Sequence, residues 1–485
     1  MNIVDPILFH CKSIPLAAAI CAPGQNMGLI SYGRLHQAIN NVGKKGIAAG
    51  VKRGSIVAVL IEDRILDAAI TLGLMRIGAV TFEGRGTQFA NGLKVDAIIT
   101  DRPYPGIAPN TNIILVDRSW MTGDGEPLTD QRHYQGSEDD LCRIILTSGT
   151  TGEPKAVGVT HKLLARRIAR HHYMLGNQLS QSMRLHCDFS FGASLGIQFL
   201  IYMLWKGGTL FCGGGDIDAT IQTFDLYKVQ ALLGSPASLA VYTKFYELNK
   251  QAHSRFELAI AGGSQLHRSL SERARARFCT NVVAAYGATE ISMVATAPAH
   301  MIADVEGAVG YVTPDVSIEI VDDGGRPVPP GADGIVRILS PFNVNGYLGS
   351  AGRTESAFRD GYFYPGDFGH LTTDGLLVIT GRAEAVMNIA GDKAKPEAIE
   401  AVLTSFPGVE DAAVVAIKDE FGMDRVCAAI VGASVDQRAL RAHCERRLRS
   451  MLVPIRFVPV NKLPRNEMGK LERPAIYEIL AKSKA

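Results

Sequence analysis

The 485-residue sequence predicts an α/β protein: a large N-terminal domain of helix-wrapped sheets plus a β-rich subdomain, followed by a small α+β C-terminal domain. Three observations predict it. The chain exceeds the ~250–300 residues at which a single hydrophobic core stops growing. Its first two-thirds alternates short β-branched runs with longer helical patterns, the signature of parallel sheets wrapped by helices. Its last third then changes pattern twice, at about Val309 and after Gly381-Arg382.

Taken in chain order, Ile56 to Ile61 (I-V-A-V-L-I) reads as a strand, followed by a helical pattern through Ile77. Further strands are expected at Ala97 to Thr100, Ile113 to Val116, Arg143 to Thr147, Val229 to Leu233, Leu258 to Ala261 and Val282 to Ala285, with helices between them. From Val309 the strands are closely spaced and separated by turns such as Asp323-Gly324-Gly325 and Pro329-Pro330-Gly331, an antiparallel pattern. The last segment reads as helix Pro396 to Thr404, strands Asp411 to Ile417 and Arg425 to Val431, and helix Asp436 to Ser450. The expected division is 1–383, with the β-rich part at about 305–383, and 384–485, a C-terminal piece of ordinary domain size.

Composition excludes several classes. Hydrophobic residues make up 47% and charged residues 20%, a globular balance that argues against disorder. The formal net charge of +2 with interspersed signs gives no footprint for nucleic acid or an anionic membrane. Eight dispersed cysteines lack metal-ligand spacing and read as reduced, buried thiols. The most apolar helix candidate, Ala68 to Val80, contains Arg76 and is too short for a bilayer. With no signal-peptide pattern at the start, a cytoplasmic location without a transmembrane segment is expected.

One stretch stands out chemically. The strand Ile144-Ile145-Leu146 runs into Thr147-Ser148-Gly149-Thr150-Thr151-Gly152-Glu153-Pro154-Lys155, then into Val157-Gly158-Val159. Two glycines let backbone N–H groups approach anionic oxygens, four hydroxyls add donors and Lys155 adds charge, so the loop can cradle phosphate. Its spacing is not that of a Walker loop.

T-S-G-T-T-G-E-P-K resembles the phosphate-loop signature of the adenylate-forming superfamily, which includes acyl-CoA synthetases, adenylation domains of nonribosomal peptide synthetases, and luciferases. Four more elements follow in that family's order, so the resemblance runs from about Ser31 to the C-terminus. Tyr286-Gly287-Ala288-Thr289-Glu290 resembles Y-G-x-T-E: the resemblance implies that Glu290 helps hold Mg²⁺, Thr289 bonds phosphate and Tyr286 packs beside adenine. Asp367, after Gly366, matches the aspartate that accepts from the ribose hydroxyls, and Arg382 the arginine that supports ribose and phosphate. Pro365 replaces the family's usual threonine. Pro464 to Arg473 resembles P-x-x-x-x-G-K-x-x-R and makes Lys470 the expected catalytic ammonium.

The resemblance also implies a mobile C-terminal domain. Glu384 takes the place of the hinge residue, usually Asp or Lys, and rotation there would bring first Lys470 and then the segment Asn388 to Lys395 to the reacting groups, with Gly391 lining a thiol tunnel. Ala398 departs from the family's pattern, taking the place of a glutamate. Gly263 and Ser264 are expected to flank the nucleotide, and Gly192, Ser194, Ala261 and Ala288 to line the acyl pocket. Asp188 is read as a structural or capping residue. The expected function is an ATP- and Mg²⁺-dependent acid–thiol ligase that forms an acyl-adenylate and then a thioester, with CoA as acceptor. A stand-alone enzyme that loads a carrier-protein phosphopantetheine, and a degenerate nucleotide- or acyl-binding protein, are the alternatives.

Overall fold

The structure is a computed structural model that describes residues 1–25, 28–84, 93–103, 112–123, 136–147, 154–174, 183–213, 216–249, 256–382, 387–389, 392–394, 396–418, 424–432, 435–466 and 469–483. The chain forms two compact units. One comprises Met1–Asp304, Thr313–Val316 and Leu339–Phe363; the other comprises Val305–Val312, Ser317–Ile338 and Tyr364–Ala485.

The first unit contains two sheets that are parallel in their centres. In one, Ile56–Leu60 pairs in parallel with both Val80–Glu83 and Ala97–Thr100, and Leu141–Thr147 continues the parallel run beside Val80–Glu83. Lys155–Thr160 then pairs antiparallel with Leu141–Thr147, and Tyr347–Leu348 antiparallel with Lys155–Thr160. In the other, the parallel order is Ala18–Cys21, Thr209–Cys212, Arg184–Cys187, Ala231–Gly234, Phe256–Gly262 and Cys279–Ala288, and Ser292–Pro298 pairs antiparallel with Cys279–Ala288. Central strands such as Ala97–Thr100 and Ala231–Gly234 are buried throughout, as near-continuous apolar runs in a parallel sheet should be.

Helix Arg64–Arg76 buries eleven residues and is N-capped by Asp63, whose carboxylate accepts from the Ile65 and Leu66 N–H groups. The apolar run read as one helix, Ala68 to Val80, is divided: Gly78 at φ 83° turns the chain and Val80 begins a strand. Helix Tyr32–Ala48 crosses Arg64–Arg76 at Gly73, where any Cβ would lie 2.5 Å from Val42 Cβ.

Helix His161–Met174 is unusual in burying His161, Arg167, Arg170 and His171 along with Leu164 and Ile168. Burial pulls the imidazoles of His161 and His171 down to about 4. The unfolded chain takes up these protons near 6.5, so the folded state keeps its full advantage above that pH and loses it as pH falls toward 4. The unfolding free energy measured with urea is therefore expected to drop between pH 6.5 and 4, by about a few kcal/mol, and His171→Gln is expected to remove about half of the drop. A variant curve parallel to wild type would contradict this.

The second unit joins an antiparallel β-rich part to an α+β part. Ala308–Val312 pairs with Leu376–Arg382, which pairs with Asp367–Leu371, which pairs with Gly334–Leu339. The stretch Leu339–Phe363 groups instead with the first unit, where Tyr347–Leu348 extends the hairpin sheet. In the α+β part, Asp411–Lys418 and Asp424–Val431 pair antiparallel, and Arg456–Pro459 adds in parallel. Both faces of this sheet are apolar, with successive side chains alternating between them. Ala412, Val414, Val426 and Ala428 pack with Ile399, Leu403 and Leu440 on one face; Ala413, Val415, Cys427 and Ala429 pack with Ile476 and Leu480 on the other. The helix expected to reach Ser450 ends at Glu445, because Leu448 and Leu452 turn inward onto the first face.

All eight cysteines are buried free thiols. No helix among the described residues is long and apolar enough to cross a membrane.

Candidate active site

In the first unit the site is built on a hairpin. Register pairs Thr147 directly with Lys155, so the two strands bring the ends of the phosphate-type loop together. The loop residues Ser148, Gly149, Thr150, Thr151 and Gly152 lie outside the described residues. Lys155 Nζ lies 5.0 Å above the Tyr347 ring, within cation–π range. Tyr347 reaches that position because its two-residue strand pairs with Val157 and Ala156.

The Tyr347 hydroxyl in turn donates to Glu290 Oε1 at 2.7 Å. Glu290 is 8% exposed, so its carboxylate is mostly removed from water and dependent on such donors. The strand Cys279–Ala288 carries Tyr286, Gly287 and Ala288, with a bulge between Tyr286 and Gly287, and only Thr289 and Glu290 form the turn proper. Sequence reading put this segment after the strand; cross-strand pairing with Ser292–Pro298 extends the strand through it. Gly287 is required there, since a Cβ would lie 2.1 Å from the Ser292 carbonyl oxygen.

The Glu290 turn is held from beneath by Arg167, which is fully buried. Its guanidinium donates to the carbonyls of Thr289 (3.0 Å), Glu290 (2.8 Å) and Phe342 (2.7 Å). Arg170, one turn on, donates to the Met293 and Pro314 carbonyls and to the Thr313 hydroxyl. Burial lowers both guanidinium groups to about 10, which leaves them charged at neutral pH.

Tyr347 and Arg167 were not among the sequence candidates. The signal for Arg167 was present: His161, Leu164, Arg167, Ile168 and His171 share one helical face, and a cation on an apolar face needs partners. Tyr347 gave no signal, because its partner is 57 residues away in sequence.

Ala261 and Gly262 end a strand whose neighbour carries Ala284 and Ala285, so Gly263 (φ 91°) and Ser264 turn beside Tyr286. Ser194 is 5% exposed, and its hydroxyl accepts from Gln198 Nε2 at 2.8 Å. Gln198 Oε1 accepts from Ser292 and meets His171 Nε2, which ties the Ser194 helix to the residue after the Glu290 turn. Asp188 Oδ1 meets His186 Nε2 at 2.9 Å and accepts from the Tyr242 hydroxyl at 2.7 Å, while its Oδ2 is buried without a hydrogen-bond partner. Gly192 lies against Glu83.

In the second unit Asp367 is 3% exposed and is the direct cross-strand partner of Arg382. Gly366 (φ 78°) and Gly381 (φ 158°) supply the backbone freedom next to each. Lys470 is exposed at the end of a turn closed by the Asn466 N–H to Lys470 carbonyl bond, with Gly469 at φ 73°. Arg465 fastens that turn to the sheet, donating to the Gly469 carbonyl and to Asp411 Oδ2 at 2.7 Å. Arg473 anchors the following helix through Glu397, Glu400 and the Val414 carbonyl. Glu384 and Gly391 lie outside the described residues.

Comparison with known proteins identifies the family. The AMP-binding enzyme family profile matches residues 88–348, more than half of the chain, and the AMP-binding enzyme C-terminal domain profile matches 398–470. The fatty acid–[acyl-carrier-protein] ligase ScoC of Streptomyces coeruleorubidus is 27% identical across 97% of this chain and 95% of its own. The 2-succinylbenzoate–CoA ligase of Geobacillus kaustophilus is 28% identical across 93% of this chain and 94% of its own. In fold, the chain is similar to o-succinylbenzoate CoA synthetase (MenE) from Bacillus subtilis in complex with the acyl-adenylate OSB-AMP, with TM-score 0.81 at 20% identity over 97% of each chain. It is also similar to an ATP-bound RpMatB–BxBclM chimera, with TM-score 0.82 at 22% identity over the whole of both chains. The chain belongs to the AMP-binding enzyme family, that is, to the adenylate-forming superfamily with its N- and C-terminal domains.

Proposed function

We propose that this protein is an ATP-dependent acid–thiol ligase that adenylates a carboxylic acid, releases pyrophosphate and passes the acyl group to a thiol, that of CoA. The observation that carries the reading is the buried Glu290 carboxylate, gripped by Tyr347 beside the hairpin end where Thr147 meets Lys155. Among the described residues no cluster of three or more His, Cys, Asp or Glu could hold a metal. A single carboxylate suits Mg²⁺, which keeps water and takes phosphate oxygens as its other ligands. Glu290 would hold the Mg²⁺, which would neutralise phosphate charge.

In this reading the loop Thr147 to Gly152 and Lys155 hold the phosphates, with Thr289 adding a hydroxyl. Gly263, Ser264, Tyr286 and Gly287 flank the base, and Asp367 and Arg382 hold the ribose. Lys470 places an ammonium where negative charge gathers as the carboxylate meets the α-phosphate. Gly192, Ser194, Ala261 and Ala288 bound the acyl group. The domains divide at Glu384, whose rotation exchanges Lys470 for the thiol-facing segment around Gly391.

Incubation with ATP, Mg²⁺ and an acid panel, then with CoA or a phosphopantetheinylated carrier protein, tests the assignment by mass spectrometry. The expected products are acyl-AMP and then acyl-CoA. Acyl transfer to the carrier protein alone would replace the CoA assignment.

Tyr347→Phe removes the hydroxyl that Glu290 Oε1 accepts from, a charge-assisted bond of about 1.5–3 kcal/mol. The expected result is a fall of about tenfold or more in kcat/KM for MgATP, with KM for the acid unchanged. An equal loss toward both substrates would show that Tyr347 acts only on the fold.

A further inference from the structure

Beside Gly192 the first unit buries a small cluster of charge. Asp67 and Arg143 are 3% and 1% exposed. Arg143 donates from Nη1 to Thr81 Oγ1 at 3.0 Å and from Nη2 to the Phe191 carbonyl at 2.7 Å. Arg64 lies over the Phe191 ring, 5.6 Å from its centroid. Asp67 accepts from the Thr71 hydroxyl at 3.2 Å, and burial together with the Glu83 charge pushes its carboxyl above the usual carboxylate range.

Two polar atoms in this cluster are buried and unmet: Glu83 Oε2, an acceptor, and Arg143 Nε, a donor. Buried polar groups are nearly always paired, so two of opposite kind in one cluster call for a group that serves both. Gly192 comes so close that a Cβ there would lie 2.5 Å from Glu83 Oε2, so no side chain at 192 can stand between the carboxylate and the Phe191–Gly192 backbone.

We propose that Glu83 and Arg143 recognise a hydroxyl group on the acyl substrate, Glu83 Oε2 accepting its O–H hydrogen bond and Arg143 Nε donating one to its oxygen. This rests on the adenylation reading and on Gly192 bounding the acyl group. Among simple substituents a hydroxyl both donates and accepts. An ammonium would satisfy Glu83 but face the Arg143 guanidinium as a like charge. A second carboxylate would satisfy Arg143 but meet Glu83 as a like charge. The substrate class is therefore a hydroxylated carboxylic acid, and Glu83 is its specificity-determining residue.

The test is acid-dependent exchange of labelled pyrophosphate into ATP with matched acids, each hydroxylated straight-chain acid or benzoate set against its deoxy analogue, in wild type and Glu83→Gln. Wild type is expected to favour the hydroxylated partner of at least one pair by tenfold or more in kcat/KM. Glu83→Gln replaces a charged acceptor with a neutral one, so that preference should fall at least fivefold while the deoxy acid stays within about twofold. Robust exchange in wild type with no hydroxyl preference, or an unchanged preference in the variant, would overturn the inference alone and assign the two atoms to a bound water. Silence with every acid would remove the adenylation reading and this inference with it. Absence of a hydroxyl preference in wild type overturns the inference even if the variant fails to fold.

Discussion

Lys470→Ala is expected to slow acyl-adenylate formation by about 10²–10³-fold while thioester formation from supplied acyl-adenylate proceeds near the wild-type rate. The size follows from the charge that a carboxylate and an α-phosphate accumulate as they approach, which a positioned ammonium offsets. The selectivity follows from the two orientations proposed for the C-terminal domain. Lys470 is exposed, and its turn is held by backbone and by Arg465, so alanine leaves the turn's anchors in place. Single-turnover measurements of the two half-reactions check it. Equal losses in both would contradict the two-orientation scheme for this chain.

Arg167→Met is expected to destabilise the first unit by about 3 kcal/mol or more and to abolish measurable exchange at temperatures where the variant remains folded. Methionine fills much of the volume but leaves the Phe342 and Thr289 carbonyls without a donor that wild type provides. The Glu290 carbonyl keeps its bond from the Val344 N–H, so the damage falls on the orientation of the turn. Arg167→Lys keeps the charge without the planar fork that serves three carbonyls, so an intermediate loss is expected. Urea denaturation together with exchange assays measures both effects. A Met variant with a wild-type midpoint and wild-type exchange would show that the guanidinium does not position Glu290.

Several features were legible in the sequence because local physics determines them. Apolar β-branched runs located the parallel strands, and Ala97–Thr100 and helix Pro396–Thr404 fall where they were expected. Antiparallel pairing after Val309 followed from turn residues. The division of Ala68 to Val80 needed the positive φ of Gly78, which periodicity does not reveal. The extension of Cys279–Ala288 through Gly287 came from a partner strand.

Sequence motifs marked Lys155, Glu290, Asp367 and Lys470 as residues with chemistry of their own. Their supports were harder to read. Tyr347 and Arg167 act through contacts across 57 and 123 residues, and Glu83 stands next to Gly192 although the two are far apart in sequence. A buried cation on a helical face is readable in advance; its acceptors are not.

The central claim is carboxylate adenylation, and acid-dependent exchange of labelled pyrophosphate into ATP tests it most directly. With fatty, aryl and amino acids supplied in turn, the account predicts Mg²⁺-requiring exchange with at least one acid, lost in Lys470→Ala and absent without acid. No exchange from folded wild-type protein across the whole panel would contradict it.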